Sequence, residues 1–520
     1  MKTTTIALTV FLGMLCSPLS ATTKTNILFI YVEDIGYYTS ERAAREPNAR
    51  IAGLKTPNLD SLAAGGVNFT RAFCAQSVCS PSKSAIYSGL LPHMNGIWRN
   101  CHNGHPKLGN PDKWIPLPNP ITKENDPTCL AAGGMHEGIT NLIQMLKAKG
   151  VYCALSGKLH QQPARNFPYD GFFGTDDLDA VIKAAGDKPW FFWCNPGDTH
   201  APWWRHVQDK LVNPKDRNSA PKDVDPSAIQ MLTWLPDTPA TRIDIAQYYS
   251  CVRNIDAFVG EMLKKLEASG QADHTIVVFT GDHGIGCARG KTSVYPAGTQ
   301  VPCYIKGPGI KTGRVLTTPI SQMDFNPTFL EAFGIAPQPV CHAKSLWPIL
   351  SGKVDALPDR TTIMTETNGG LASAPKGQQP TKARAVCDGR YYYIGNVYQD
   401  TFKGPVEKAI AIGSGNGEYG DPGPQYSIDL HDEAVRHKDD QPVPYELLRQ
   451  LCMADAPREE LYDLDADPWA VKNLVNEPAH AATLARLRIE FANWYAFTKD
   501  NNEPFALKGG KPPASRAGTK

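Results

Sequence analysis

The sequence has no excess of charge of either sign, because its 53 Lys and Arg residues almost balance its 52 Asp and Glu residues. A chain with this balance has no broad basic field that could hold nucleic acid or a long polyanion. We therefore expect no nucleic-acid partner. Any affinity for an anionic ligand must come from a local cluster of side chains.

Cys-x-x-Cys pairs are absent, although the chain contains 13 cysteines. Zinc ribbons and thioredoxin-like sites, which need that spacing, are therefore unsupported. Disulfide pairing among the cysteines cannot be deduced from the sequence.

Apolar runs long enough to span a bilayer are absent as well. Near the N-terminus, Lys2 precedes a ten-residue apolar segment from Ile6 to Leu15, and small residues follow as far as Ala21. This order is typical of a secretory signal peptide. We predict that residues 1–21 are a signal peptide and that the mature protein has no membrane span. We expect it to be exported, either periplasmic or secreted, or lysosomal if the host is eukaryotic.

Short apolar runs alternate with helical patterns along most of the chain. The runs NILFIYV, VYCALS, WFFWC and TIVVF have the composition of strands buried on both faces. Between them, helices are predicted from about Pro57 to Gly65, from about Ser80, and from Ile243 to Leu266. This alternation predicts an α/β fold with a doubly wound, mostly parallel sheet flanked by helices.

After about Gly352 the pattern changes. RAVCDGRYYYIGN predicts a hairpin with Asp388 and Gly389 in the turn, and a helix is predicted from Ala479 to Phe497. We therefore predict an N-terminal domain over residues 22–352 and a smaller α+β subdomain over residues 353–505. The Gly-, Pro- and Lys-rich residues 506–520 are predicted to be a disordered tail.

Polar side chains follow four of the predicted buried strands. Ligands of open α/β sheets bind beyond the carboxyl ends of the strands, so these side chains can converge although they are distant in sequence. A single Asp in this place is as often a helix cap, and a single Lys is usually a solvated surface charge. The side chains that follow strands are Glu33, Asp34, Lys158, His160, His200, Asp282 and His283.

The types of these side chains suggest a chemistry. Three carboxylates beside a histidine favour a hard divalent cation, Ca²⁺ or Mg²⁺, over zinc. The lysines and remaining histidines offer positive charge and hydrogen-bond donors to an oxyanion such as sulfate or phosphate. Cys79 precedes a predicted helix, whose first backbone N–H groups also favour anions.

The segment CSPSKSAIYSGLLPHMNGI, beginning at Cys79, resembles the signature of type I sulfatases, Cys-x-Pro-Ser-Arg followed by a Thr/Ser-Gly step. NILFIYVEDIGY and FTGDHG resemble the two metal-ligand segments of that family, SGKLH its Gly-Lys-x-His segment, and THAPW its His-x-Pro segment. ELYDLDADPWAVKNL resembles its C-terminal element. The segment WLPDTPATRIDIAQYYSCVRNIDAFVGEMLKKL and the residues after Lys291 are most similar to the heparan N-sulfatase (sulfamidase) branch.

This resemblance implies an alkaline-phosphatase-like fold and an enzyme that hydrolyses a sulfate ester or sulfamate on a carbohydrate. It implies that a formylglycine-generating maturation enzyme converts Cys79 to formylglycine (3-oxoalanine), whose hydrate attacks sulfur. The second hydroxyl, deprotonated by His160, then expels sulfate and regenerates the aldehyde. The implied catalytic residues are Cys79, Lys83, Lys158, His160, His200 and Lys291, and the implied ligands of Ca²⁺, or of Mg²⁺, are Glu33, Asp34, Cys79, Asp282 and His283.

Residues that contact the sugar itself are difficult to identify from the sequence. His102, in the loop WRNCHNGHP, and Arg384, in the C-terminal subdomain, are candidate substrate-binding residues, although side chains of this kind are more often surface groups.

Two residues depart from the family pattern. Lys83 stands where the family has Arg. The lysine keeps the charge but loses the planar fork of the guanidinium, and this change bears on recognition by the maturation enzyme. Glu33 stands where many members have Asp, and its extra methylene shifts the geometry of a ligand.

Two other readings of the residues stay open. One is a phosphatase or phosphodiesterase of the same superfamily, which would use Ser or Thr as the nucleophile and a second metal. The other is a non-catalytic glycan-binding relative in which Cys79 is not converted.

Overall fold

The computed structural model describes residues 25–39, 54–98, 100–101, 105–107, 110–115, 134–201, 203, 206–207, 219–235, 237, 239–287, 289–368, 382–398, 457–498 and 500. The predicted signal peptide, the predicted tail over residues 506–520 and the candidate residue His102 lie outside these ranges.

The strands are numbered in chain order. They are β1 (Asn26–Val32), β2 (Val67–Phe69), β3 (Ala72–Phe73), β4 (His105–Lys107), β5 (Asn110–Ile115), β6 (Tyr152–Ser156), β7 (Gly171–Phe173), β8 (Trp190–Cys194), β9 (Thr275–Gly281), β10 (Gln300–Val301), β11 (Cys303–Lys306), β12 (Arg314–Leu316), β13 (Ile320–Ser321), β14 (Ile363–Asn368), β15 (Lys382–Cys387), β16 (Tyr391–Tyr398) and β17 (Glu459–Asp463).

The α-helices are α1 (Pro57–Ala64), α2 (Cys79–Ser88), α3 (Pro92–Asn95), α4 (Leu142–Ala148), α5 (Leu178–Ala185), α6 (Pro239–Ala268), α7 (Pro296–Thr299), α8 (Phe325–Ala332), α9 (Trp347–Leu350) and α10 (Ala481–Thr498). Short 3₁₀ helices cover Tyr37–Thr39, Ala164–Asn166, Ala272–His274, Gln322–Asp324 and Pro478–His480. Helix α6 begins about one turn before Ile243, where the long helix was predicted to start. Among the residues described, no helix combines the length and the apolar character that crossing a membrane would need.

Eight strands form the main sheet, in the order β12-β2-β11-β9-β1-β8-β6-β7. The pairs from β9 through β1, β8 and β6 to β7 are parallel, and β11 is antiparallel to both of its neighbours. Every residue of β1 is buried. A strand at the centre of a sheet that is covered on both faces has this pattern.

Alternate residues of β1 point into two separate cores. Leu28 and Ile30 belong to a core that contains apolar residues of α1, α5 and α6. Ile27 and Phe29 belong to a second core, which contains residues of α2, α4 and α8. Helices therefore cover both faces of the sheet, and the predicted doubly wound α/β fold is confirmed.

The C-terminal part of the chain forms a second sheet. Strands β14, β15, β16 and β17 pair in sequence order, and all of these pairs are antiparallel. The predicted hairpin joins β15 to β16 through Asp388 and Gly389. Leu487 and Phe491 of α10 pack in one core with Val386 and Tyr393 of this sheet. This is the α+β arrangement that the sequence predicted for the region.

Candidate active site

Four neighbouring strands end at the candidate site. Strands β9, β1, β8 and β6 lie side by side and run parallel, so the segments that follow them emerge at one edge of the sheet. Those segments carry Glu33 and Asp34 after β1, Asp282 and His283 after β9, Lys158 and His160 after β6, and His200 after β8.

Asp282 organises the backbone at this edge. Its own N–H donates to the carbonyl of Val32 (2.8 Å), and its Oδ1 accepts from the backbone N–H groups of Asp34 and His283 (2.8 Å each). Asp34 adopts a left-handed conformation, with φ of 52°, which Asp tolerates better than most residues. The other carboxylate oxygen of Asp282, Oδ2, is buried and receives no hydrogen bond from the described residues.

The donor atoms at this edge fit a divalent cation. One group whose ligand atoms all lie within 4.8 Å of one another comprises Asp34, Cys79, Asp282 and His283, and a second comprises Glu33, Asp34, Cys79 and His200. Three buried carboxylates, of which Asp282 has an oxygen that accepts no hydrogen bond from the described residues, form the oxygen-rich environment that Ca²⁺ and Mg²⁺ prefer.

Cys79 is the first residue of α2, and Val78 precedes it in an extended conformation. Its Sγ lies 3.5 Å from His283 Nε2, and the residue is almost fully buried. Burial alone raises the pKa of a thiol, but the charge of Lys291 and a hydrogen bond from His200 lower the pKa of Cys79 to about 6. The side chain therefore lies beside both cationic groups and carboxylates.

Two lysines share the carboxylate of Glu33. Lys83 Nζ donates to Oε1 at 2.5 Å and Lys158 Nζ donates to Oε2 at 3.0 Å. Lys83 is fully buried, and its Nζ also lies 3.6 Å from Asp282 Oδ2. Burial opposes ionisation of Glu33, but the charges of Lys158 and Lys83 hold its pKa well below the ordinary value.

Lys291 and His200 approach Asp34 from another side. Lys291 Nζ donates to both oxygens of Asp34, at 3.0 and 3.2 Å, and lies 3.3 Å from His200 Nε2. His200 Nδ1 donates to the carbonyl of Ala201 (2.8 Å), so Nε2 is the nitrogen that faces the site. Burial opposes ionisation of Asp34, but the charges of Lys291 and His200 lower its pKa to about 2.

The remaining predicted residues have different positions. His160 is buried, with φ of 53°, and the next residue, Gln161, donates to the carbonyl of Ser80 (2.8 Å), which places this loop against the first turn of α2. Arg384 is fully buried in β15, where its guanidinium donates to Asp500 Oδ2 (2.7 Å) and to other protein acceptors. Its position corrects the expectation of a sugar contact, because the residue has no exposed surface to offer a ligand.

Several residues that support the site were not among those predicted from the sequence. Ser82 Oγ donates to the carbonyl of Asp282 (2.6 Å) and accepts from Tyr31 OH (2.7 Å). Thr199 Oγ1 donates to the carbonyl of Glu33 (2.5 Å), and Tyr248 OH donates to that of Asp34 (3.0 Å). Ser82 lies within the signature and Thr199 beside a predicted residue, but Tyr248 lies in α6, 214 residues from Asp34 in the sequence, and the fold brings the two together.

Sequence comparisons relate the chain to known sulfatases. The family profile described as Sulfatase matches residues 25–177 and 173–335. The chain is 26% identical over 511 residues to N-sulphoglucosamine sulphohydrolase from Homo sapiens, covering 91% of this chain and 90% of that protein. It is 25% identical over 522 residues to an ulvan-active sulfatase from Formosa agariphila, covering 92% of this chain and 76% of that protein.

A solved structure has the same fold. The 2-O GAG sulfatase BT1596 superposes with a TM-score of 0.60 at 19% identity, covering 92% of this chain and 93% of that chain. The family match spans more than half of the sequence, and it includes every strand end that contributes to the site. The chain therefore belongs to the sulfatase family, whose members hydrolyse sulfuric esters.

Proposed function

We propose that this protein is an exported sulfatase that removes sulfate from a sulfated carbohydrate, using a formylglycine derived from Cys79 and a bound divalent cation, Ca²⁺ or Mg²⁺. The observation that carries the proposal is the position of Cys79. Its Sγ belongs to both groups of closely spaced donor atoms. The charge of Lys291 and a hydrogen bond from His200 lower the pKa of its thiol.

The two added groups would divide the chemistry. Formylglycine, as its hydrate, would supply the attacking hydroxyl, and the cation would supply positive charge that favours its deprotonated form. We assign the cation to Asp34, Asp282 and His283, whose ligand atoms lie within 4.8 Å of one another, and Glu33 belongs to the second such group and would add a further carboxylate.

The chain's own cations account for binding of the sulfate group. Lys158 is partly exposed, with 25% of its side chain accessible, so its ammonium can face both Glu33 and an incoming anion. We assign to His200, whose Nε2 faces the site, the transfer of a proton to the leaving oxygen or nitrogen. The fully buried Lys83 makes its contacts with carboxylates and so balances charge beneath the site.

The similarity to N-sulphoglucosamine sulphohydrolase extends over nearly the whole length of both proteins. It supports an N-sulfated glucosamine as the first substrate to test. The similarity to an ulvan-active sulfatase supports O-sulfated polysaccharide fragments as the second class.

Mass spectrometry of the peptide that contains Cys79 tests the proposal. Trypsin should release AFCAQSVCSPSK, from Ala72 to Lys83, in which Cys74 provides an internal control for alkylation. The protein should be produced beside a formylglycine-generating enzyme and purified with calcium. We expect the aldehyde at position 79 and an alkylated thiol at position 74.

Sulfate release from N-sulfoglucosamine and from O-sulfated sugars should then be measured, with Cys79→Ala as the inactive control. An unconverted Cys79, under conditions in which a Lys83→Arg variant is converted, would contradict the proposal. Activity toward phosphate diesters with none toward sulfated sugars would instead favour the phosphodiesterase reading.

A further inference from the structure

The loop between β9 and α7 delivers Lys291 to the site. Its ammonium donates to both oxygens of Asp34 and contacts His200 Nε2. A lysine side chain has four rotatable bonds, so the position of its ammonium depends on where the backbone starts it. The conformation of this loop therefore decides whether the charge reaches the site.

The backbone on either side of Lys291 is strained. Arg289 has φ of 60° and Thr292 has φ of 72°, and neither is glycine. A positive φ is a clear outlier for a β-branched residue such as Thr, and it persists only where neighbouring structure enforces it. The loop thus needs partners outside itself.

Both peptide groups of Thr292 have such partners. Its N–H donates to the carbonyl of Ser77 (2.8 Å), two residues before Cys79. Its carbonyl accepts from Thr367 Oγ1 (3.0 Å), at the end of β14 in the C-terminal sheet. One strained residue is therefore hydrogen-bonded both to the segment that carries the nucleophile and to the second sheet.

The same sheet holds the loop at further points. Tyr392 OH, fully buried in β16, donates to the carbonyl of Val294 (2.6 Å). The guanidinium of Arg289 lies 3.6 Å from the ring centroid of Tyr295, whose hydroxyl donates to Glu460 of β17 (3.0 Å). Contacts from three strands of the C-terminal sheet thus restrain residues 289–295.

We propose that the C-terminal sheet positions Lys291 for catalysis, with Thr367 as the principal positioning residue. Thr367 holds Thr292 in its left-handed conformation, and that conformation directs Lys291 toward Asp34 and His200. This inference rests on the proposed sulfatase activity, in which Lys291 acts on the sulfate group.

Thr367→Val tests the inference, because valine keeps the shape of threonine and loses the hydroxyl. Thr367→Ser keeps the hydroxyl. Thr275→Val is the matched control, since the buried Thr275 also donates to a backbone carbonyl, that of Gln271 (2.8 Å), but at the opposite end of β9. We expect Thr367→Val to lower kcat about tenfold to a hundredfold with a smaller change in KM, because misplaced catalytic groups carry a penalty of this size. Thr367→Ser and Thr275→Val should stay close to the parent protein.

A second readout needs no turnover. In protein made without the maturation enzyme, amide hydrogen exchange of residues 289–295, followed by mass spectrometry, reports how firmly this loop is held. The N–H of Thr292, which donates to the carbonyl of Ser77, lies in this segment. Thr367→Val should speed exchange in this segment, and Thr275→Val should not.

If the parent protein releases no sulfate, the proposed function fails, and the exchange rates still decide whether Thr367 holds the loop. If Thr367→Val matches Thr275→Val in both kcat and hydrogen exchange, the inference is overturned. Should Thr367→Val fail to fold, Tyr392→Phe removes the bond to Val294 and must show the same loss of kcat and the same faster exchange.

Discussion

The charge of Lys83 should contribute measurably to stability, and its contribution should depend on calcium. Lys83 is fully buried between two carboxylates, donating to Glu33 Oε1 at 2.5 Å and lying 3.6 Å from Asp282 Oδ2. Lys83→Met retains much of the shape of the side chain and removes the ammonium. Glu33 keeps a hydrogen bond from Lys158, whereas Asp282 loses its nearest lysine.

Removal of one partner from a buried ion pair costs about 3–5 kcal/mol, and the remaining bond from Lys158 places this case at about 3 kcal/mol. Unfolding entropies near 2.1 cal/mol/K per residue give ~1 kcal/mol/K for a chain of this length, so the expected fall in Tm is about 3 °C in EDTA. Calcium, which we propose binds among the same carboxylates, would supply positive charge in place of the ammonium. The difference between variant and parent should therefore shrink when calcium is in excess.

Differential scanning calorimetry in EDTA and in calcium measures both effects. Lys264→Met is the control, because Lys264 pairs with Glu261 on an exposed face of α6, where such pairs contribute less than about 1 kcal/mol. If Lys83→Met shifts Tm no more than Lys264→Met in EDTA, the buried ammonium is not the counter-charge inferred here. A difference that grows in calcium would contradict the placement of the cation among these carboxylates.

Three further outcomes follow from the described contacts. Asp282→Asn should weaken calcium binding, measured by calorimetry, at least about tenfold, because it removes a carboxylate charge from the ligand set; unchanged affinity would exclude Asp282 as a ligand. His93 Nδ1 lies 2.5 Å from Glu366 Oε2, and although burial opposes both charges, the pair raises the pKa of His93 and lowers that of Glu366 to about 2. This ion pair should stabilise the protein most between about pH 4.5 and 6.5, and Tm should fall as pH rises through the raised pKa of His93. The Tm of His93→Gln should not show this fall. Tyr87→Phe should cost about 1–2 kcal/mol in urea unfolding, because it leaves the buried hydroxyl of Tyr169 without its 2.7 Å partner, whereas changing both residues to Phe should recover most of the loss.

The sheet and its strand ends could be predicted because their signals are local. A run such as NILFIYV, apolar at consecutive positions, suits a strand that is buried on both sides, and Leu28 and Phe29 do pack in opposite cores. The rule that ligands gather at the carboxyl ends of strands then places Glu33, Asp34 and Asp282 together without any knowledge of packing.

The C-terminal contribution could not be predicted in the same way. Thr367 and Tyr392 bond to carbonyls 75 and 98 residues away, and nothing about a threonine or a tyrosine in a strand identifies such a partner. Arg384 was expected to be either a sugar contact or a surface residue, and it is neither, because carboxylates that only the folded chain brings near it allow its burial.

The bond between Arg384 and Asp500 has a consequence for synthesis. The two residues are 116 positions apart, and Asp500 follows α10 near the far end of the described residues. During translation, therefore, β15 leaves the ribosome with a guanidinium that can pair with Glu366 but whose hydrogen-bonding carboxylate, Asp500, has not yet been made. The N-terminal sheet can form first, as domains generally do during synthesis. The sheet that restrains the Lys291 loop is completed only when α10 and Asp500 arrive, so the order of translation sets the order in which the enzyme can become competent.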